Sequence, residues 1–338
     1  MRNERVTFCD ILMFLCLAVF ILWGIDIPKH IKTPFSNALD VINDNFTTIK
    51  AEGGKSHTIL DDIAGLIMEK EKIGEVYKAE KVEETEIIKT KVEEKTINYS
   101  NTGTNINWNN VLVNNHTSKE VDLISLMNGY KPVKKKKSPQ ILIVHTHGTE
   151  GYVECSTSRS DNKELNVVKV GNVLAENLKK YGFNVLHDPK MHDLPSYNGS
   201  YKNTLKTLEW YMENYDGIDL VIDVHRDAVD RKDGTKVSVV SEQKGKKAAQ
   251  IMFVVGTDEC GLTHNNWQEN LKLYAGIYAK GNELYPGLFR PIDLRTERFN
   301  QHITNGSVIA EFGCNGNTLE EALYSAELLA EIINEYIK

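Results

Sequence analysis

The sequence has no paired set of cysteines. Its five (Cys9, Cys16, Cys155, Cys260 and Cys314) are odd in number among 338 residues. No two have CxxC spacing, which argues against a disulfide framework, a zinc knuckle or a redox pair. An excess of positive charge is missing too. With 40 Lys and Arg against 47 Asp and Glu, the formal net charge is −7. The one concentrated basic stretch is "KPVKKKK" at 131–137, so nucleic acid is not an expected partner. There is no glycine-rich phosphate loop and no GxSxG elbow, and no Ser or Cys sits in a comparable turn. At 41% hydrophobic residues, the chain can hold one domain of about 200 residues plus something else, but not three domains.

Long apolar runs are scarce. The exception is "FCDILMFLCLAVFILWGI" at 8–25, preceded by Arg2 and Arg5. Its uninterrupted part, Ile11 to Ile25, has 15 residues, short for a hydrocarbon core of about 30 Å at about 1.5 Å per residue unless Phe8, Cys9 and the flanks contribute. No small-x-small exit follows it. Residues 1–27 therefore read as a cytoplasmic stub and an uncleaved transmembrane signal anchor, with the arginines inside and everything after Pro28 on the extracytoplasmic side of the cell membrane. A cleaved signal peptide is the alternative. Residues 28–138 read as an extracytoplasmic stalk, partly helical or disordered. Between Glu69 and Lys95, 16 of 27 residues are Glu or Lys, and Val76, Val82, Ile87, Ile88 and Val92 are too sparse to bury a face. "DDIAGLIMEKEKIGEVY" has apolar spacing near 3.6, which leaves a partner-binding helix open.

From Pro139 to the end the pattern becomes regular. "QILIVHTH" predicts a buried strand, and "LNVVKVGNVLAENLKKYG" an amphipathic helix with Gly182 just past its end. "FNVLHD", "IDLVIDVHRD", "AAQIMFVVG" and "GSVIAEFGCNG" predict further strands. "YKNTLKTLEWYMENY", "NWQENLKLYAGIYAKGNELYPG" and "TLEEALYSAELLAEIINEYIK" predict helices. Strands alternating with helices of this length imply an α/β domain over 139–338, a mostly parallel central sheet flanked by helices. In such sheets, sites form beyond the carboxyl ends of the strands.

Three strand ends carry chemistry under that rule: His145, Thr146, His147 and Glu150; then Asp223, His225, Arg226 and Asp227; then Glu311. Two histidines from separate strand ends plus a carboxylate form the ligand set zinc takes in hydrolytic sites, with one position left for water. A carboxylate outside the metal shell can then act as general base. His145 and His147 are two apart on an extended segment, so both are expected on one side, and spacing does not choose between them. A hydrogen-bonded structural pair remains the alternative. Asp223 and Asp227 could equally cap the following turn. Glu311 lies among apolar neighbours, where an unpaired carboxylate is costly. That favours a functional role over a structural pair with Arg295 or Arg298.

"HTHGTEGY", "HDLPSYNGSYKNTL", "DLVIDVHRDA", "NWQENL" and "AEFGCNGNTLEEA", in that order, resemble the stage II sporulation protein P family, membrane-anchored cell-wall hydrolases of endospore formers. The resemblance covers about 200 residues and implies a fold similar to zinc-dependent N-acetylmuramoyl-L-alanine amidases. It implies zinc on His147, with His145 the less close match, and on His225, with Glu311 as the catalytic glutamate. The family's third ligand, a glutamate opening the first helix, has no clear counterpart. Glu164 is one or two positions off, Asn166 is an alternative occupant of that place, and Glu150 is the rival. Further implications are cleavage of the amide between N-acetylmuramic acid and L-Ala of peptidoglycan and an endopeptidase activity on the stem peptide. The implied setting is forespore engulfment, with stage II sporulation proteins D and M as partners. Arg226 or the metal would hold the oxyanion. A membrane-tethered scaffold without catalysis is the competing reading.

Overall fold

The computed structural model describes residues 90–97, 108–138 and 140–337, all in a unit that starts at Ile88. Two short strands, β1 (Val92–Lys95) and β2 (Val113–Asn115), and a short helix, α1 (Leu123–Met127), precede β3 (Ile141–Val144). Helix α2 (Val167–Lys180), strand β4 (Val185–His187) and helix α3 (Ser200–Asn214) follow. Then come β5 (Leu220–Asp227), β6 (Lys236–Gln243), β7 (Lys246–Ala249) and β8 (Ile251–Gly256). The chain closes with α4 (Trp267–Leu284), β9 (Ile292–Arg295), β10 (Ser307–Cys314) and α5 (Leu319–Tyr336).

Seven strands form the main sheet in the order β2-β9-β8-β10-β5-β3-β4. Every neighbouring pair is parallel except β8 with β10, so the expected mostly parallel α/β architecture is present. A second sheet of order β1-β6-β7 lies beside it.

Period-2 alternation sorts the side chains of the main sheet into two faces. Ile141 and Ile143 of β3, Leu220, Ile222 and Val224 of β5, and Val308, Ala310 and Phe312 of β10 join the large core built with α2, α4 and α5. Leu142, Val144 and Val221 pack on the other face with Leu208 of α3, and Ile309 packs there with Tyr201. The helix ends follow their sequence signals. The Asn166 side chain accepts from Val168 N to cap α2, and Thr318 and Glu321 form a capping box on α5. Gly199 precedes α3 at φ +90, which favours a residue without Cβ.

Two expectations are corrected here. The folded domain does not start at residue 139. β2 is an edge strand of the main sheet, Val111, Val113 and Leu123 are fully buried in its core, and β1 pairs with β6. These segments are short and polar around a few apolar residues, so composition placed them in the stalk. The stretch "AAQIMFVVG" is not one strand either. Fully buried Gln250 divides it, its amide bonded to Ile97 N, Ile97 O and Gly287 O, and β7 and β8 join different sheets. The hairpin strand β6 and the short β9 are additions to the expected elements. The described cysteines, Cys155, Cys260 and Cys314, are free. Among the described residues no helix is long and apolar enough to cross a membrane. The apolar run at 8–25 and the stalk to residue 89 lie outside the described residues.

A chain beginning at Lys131 is expected to melt at least about 10 °C below one beginning at Ile88. It lacks three buried side chains each contributing about 1.5–3 kcal/mol, and about 1 kcal/mol moves the midpoint by about 2–4 °C at this size. Differential scanning calorimetry of the two chains measures this, and equal midpoints would show β1 and β2 to be accessories.

Candidate metal centre

β3 ends at Val144, and the chain turns at once, with Glu150 N donating to His147 O at 3.0 Å. This ending separates the two histidines of "HTH". His145 continues the alternation of β3 and faces α2, where its ring lies against the backbone of Gly171. A Cβ there would come within 2.5 Å of the imidazole. Its Nε2 is 2.9 Å from His187 Nε2 and its Nδ1 is 3.3 Å from Val224 O. Burial, aided by the neighbouring His187, pushes the His145 imidazole down to about 3. His147 is already in the turn and swings to the α3 face. The expectation that both point to one side, with His145 as a possible ligand, is therefore corrected.

His147, Glu150 and His225 converge, with one potential ligand atom from each lying within 4.8 Å of the others. Glu150 is central. Its Oε1 is 3.6 Å from His147 Nδ1 and its Oε2 is 3.4 Å from His225 Nδ1. All three residues are buried. The far nitrogens have partners of their own. His147 Nε2 is 3.0 Å from Ser200 Oγ at the start of α3, and His225 Nε2 is 3.0 Å from Asp223 Oδ1. The latter contact is ionic in distance but not aligned as a hydrogen bond. Glu164 is not part of the group. Its side chain is exposed and pairs with Lys169 at 2.6 Å. Asn166 is the α2 cap.

The electrostatics suit a cation. Burial works against charge on His225, but Asp223 and Glu150 outweigh it and hold the imidazole well above its usual range. Burial likewise would raise Glu150, yet the contacts with His147 and His225 and the charges of His225 and Arg226 hold its carboxyl well below the usual range. Two carboxylates therefore face one buried imidazole, and a divalent ion on the same donors neutralises them as a proton does. The His-Glu-His set fits a metal that leaves a position open.

Glu311 stands beside the trio. It is in register with His225 on the adjacent strand and shares its face of the sheet. Its Oε2 is enclosed with no hydrogen-bond partner among the described residues. Burial, with Asp227 and Glu150 nearby, raises its carboxyl to about 8 against the opposing pull of His225 and Arg290. Neither Arg295 nor Arg298 forms an ion pair with it; Arg295 pairs instead with Asp293 and Glu297.

Arg226 alternates away from His225, and its guanidinium is committed to the loop after β3, donating to Gly151 O at 2.7 Å and Ser158 O at 2.6 Å. Its backbone N–H donates to Glu150 Oε2 at 3.2 Å. These bonds make it a brace for the loop that carries Glu150, in place of the expected oxyanion donor. Asp227 pairs with Arg290 at 2.7 Å. Sequence reasoning missed Ser200, and it missed Tyr197 and Tyr201, whose rings pack on His147 at 4.3 and 5.4 Å. All three lie in or next to "YNGSY", where a turn followed by a helix start gives no chemical signal.

The family model described as Stage II sporulation protein P (SpoIIP) matches residues 54–334, and the chain belongs to that family. It is 26% identical over 213 residues to Stage II sporulation protein P of Bacillus subtilis (strain 168), covering 58% of this chain and 50% of the relative. The chain thus spans about half the length of that curated relative. Among solved structures it is similar to the N-acetylmuramoyl-L-alanine amidase from Clostridium difficile 630, at 15% identity and a TM-score of 0.36, covering 59% of this chain and 95% of that one. It is also similar to the amidase AmiC2 of Nostoc punctiforme, at 12% identity and a TM-score of 0.35, covering 60% and 98%.

The raised Glu311 carboxyl has a stability consequence in metal-free protein. The folded state holds this proton more tightly than the unfolded state, so the contribution is fully present below the usual carboxylate range and is lost as pH rises to about 8. Glu311→Gln is therefore expected to flatten the fall in stability between about pH 5 and 8. Urea denaturation of the chelated protein across that range checks it, and identical slopes for both proteins would contradict the assignment.

Proposed function

We propose that this member of the stage II sporulation protein P family is a zinc-dependent peptidoglycan hydrolase. Its substrate bond is the amide between the lactyl group of N-acetylmuramic acid and the L-Ala of the stem peptide. The observation that carries the reading is the buried His147, Glu150 and His225 trio with Glu311 in register beside it, its enclosed Oε2 without a hydrogen-bond partner among the described residues.

His147, Glu150 and His225 would hold the ion. Zinc bound there supplies Lewis acidity toward the scissile carbonyl and toward water. Glu311 takes a proton from water and returns it to the leaving amine. Its place in register with His225 on the adjacent strand puts it beside the ion's donors, where a carboxylate can serve both transfers. Ser200 and Asp223 orient the two imidazoles from behind, as outer partners of ligating histidines do. An endopeptidase activity on the stem peptide belongs to the same reading, since one donor set can act on any amide the site admits.

The wider setting is proposed on family membership: engulfment of the forespore, with stage II sporulation proteins D and M as partners. The apolar run at 8–25 supports a single-pass anchor in the cell membrane with the hydrolase outside.

Elemental analysis of the full-length protein is expected to give about one zinc per chain, lost in His147→Ala, His225→Ala and Glu150→Gln but kept in His145→Ala and Glu311→Gln. Glu311→Gln should lower the release of stem peptides from purified wall by about 10²–10⁴-fold. A folded wild type without metal or hydrolysis would favour the scaffold reading. Ser200→Ala and Asp223→Asn are expected to weaken zinc affinity by about 10- to 100-fold in chelator competition, and wild-type affinity in both would remove them from the site.

A further inference from the structure

An open cleft of about 630 Å³ lies beside the metal trio, lined by Thr149, Arg159, Ser160, Asp161, Asp193 and Tyr197 among others. Its wall is tied to the trio through the backbone, because Arg159 bridges to Glu150 across the loop. It is tied through side chains as well. Tyr197 stacks on His147 at 4.3 Å, and the Arg159 guanidinium carbon lies 4.8 Å from the Tyr197 ring centre.

Arg159 is held at one corner. Its Nη1 donates to Thr149 Oγ1 at 2.8 Å and to Asp193 Oδ2 at 2.9 Å. The Asp193 side chain is only 1% exposed and also accepts from Thr149 N and Oγ1, so this anchor is fixed. Among the described residues, Nε and Nη2 of Arg159 donate to no group, and the side chain is 39% exposed. A guanidinium fixed at one corner with its other edge open is preorganised for a carboxylate. Two residues on, Asp161 is exposed on the same cleft with no hydrogen-bond or ionic partner among the described residues. A bare anion would meet that carboxylate as well as Arg159. A group carrying both charges satisfies the two side chains at once.

We propose that this cleft is a subsite for a zwitterionic amino-acid head on the peptide of the substrate, its carboxylate on Arg159 and its ammonium on Asp161. The inference rests on the hydrolase reading for what brings a peptide to His147. The two ring distances, 4.3 and 4.8 Å, place the guanidinium no more than two to three residues of extended chain from His147, at about 3.3–3.6 Å each. The head therefore belongs to one of the first three residues from the scissile amide.

The test is calorimetric titration of the full-length protein with three soluble peptides that lack the sugar and the scissile amide. One carries a free amino-acid head at its third residue, one has the head carboxylate amidated, and one has the head amine acetylated. Wild type is expected to bind the free head about 10- to 100-fold more tightly than either capped form. Arg159→Gln should abolish discrimination against the amidated peptide and Asp161→Asn that against the acetylated one. Arg159→Lys keeps a cation for Asp193 without the fork and should lose about tenfold. Equal binding of all three peptides by wild type, or discrimination that survives both substitutions, overturns the proposal. So does full displacement of the free-head peptide by inorganic phosphate at the same concentration, which would mark a simple anion site. Hydrolysis of muropeptides, assayed in parallel, separates the two readings. Discrimination without hydrolysis removes the amidase assignment alone, and hydrolysis without discrimination removes the cleft assignment alone.

Discussion

A carboxylate buried in the middle of a parallel strand has to find donors on its neighbours, and Asp223 of β5 finds them at the tip of β3. It accepts from Thr146 N at 2.8 Å and from Thr146 Oγ1 at 2.5 Å, and its Oδ1 is also 3.0 Å from His225 Nε2. One side chain thus fastens the turn that delivers His147 to the strand that delivers His225. Buried and nearly free of water, it keeps its charge only because those partners are present. The rest of the centre hangs on this clasp. His147 leaves β3 immediately after Thr146, and Glu150 follows one turn later.

Glu150 needs separate support, since it sits on a loop. Arg226 supplies it by donating to two carbonyls of that loop, while its backbone N–H holds the carboxylate itself. The loop is closed further by bridges from Glu150 to Arg159 and from Gly151 to Asn166. Strand β5 therefore serves the centre with both of its faces. Asp223 and His225 act on the α3 side, and Arg226 acts from the other.

Much of this was legible in the sequence, because strand alternation and chemistry at strand ends are local patterns. The strands that carry His225 and Glu311 and the helices between them lie where periodicity places them. The choice between Glu150 and Glu164 was not legible, because it depends on a loop folding back to bridge Arg159 and Asn166. The parting of His145 from His147 was hidden for a similar reason: β3 ends with its apolar run at Val144, and the turn that starts at Thr146 breaks the period-2 rule between them. Ser200 and Tyr197 come from a distant segment, and β1 and β2 are too short and polar to announce themselves.

The single antiparallel step in the sheet has a further consequence. Because β8 runs against β10, the chain on that flank of the centre arrives at the sheet instead of leaving it. The segment entering β9 brings Arg290 to Asp227, at 2.7 Å, with Cys314 Sγ and Met252 Sδ around the guanidinium. That flank is a closed wall anchored by a largely buried ion pair, and an inserted residue there would have to break it. The opposite flank is the loop between β3 and α2, which is longer and partly open to solvent. Changes in chain length during divergence are thus expected on the side of the centre that holds the cleft, and with them variation in what the centre accepts.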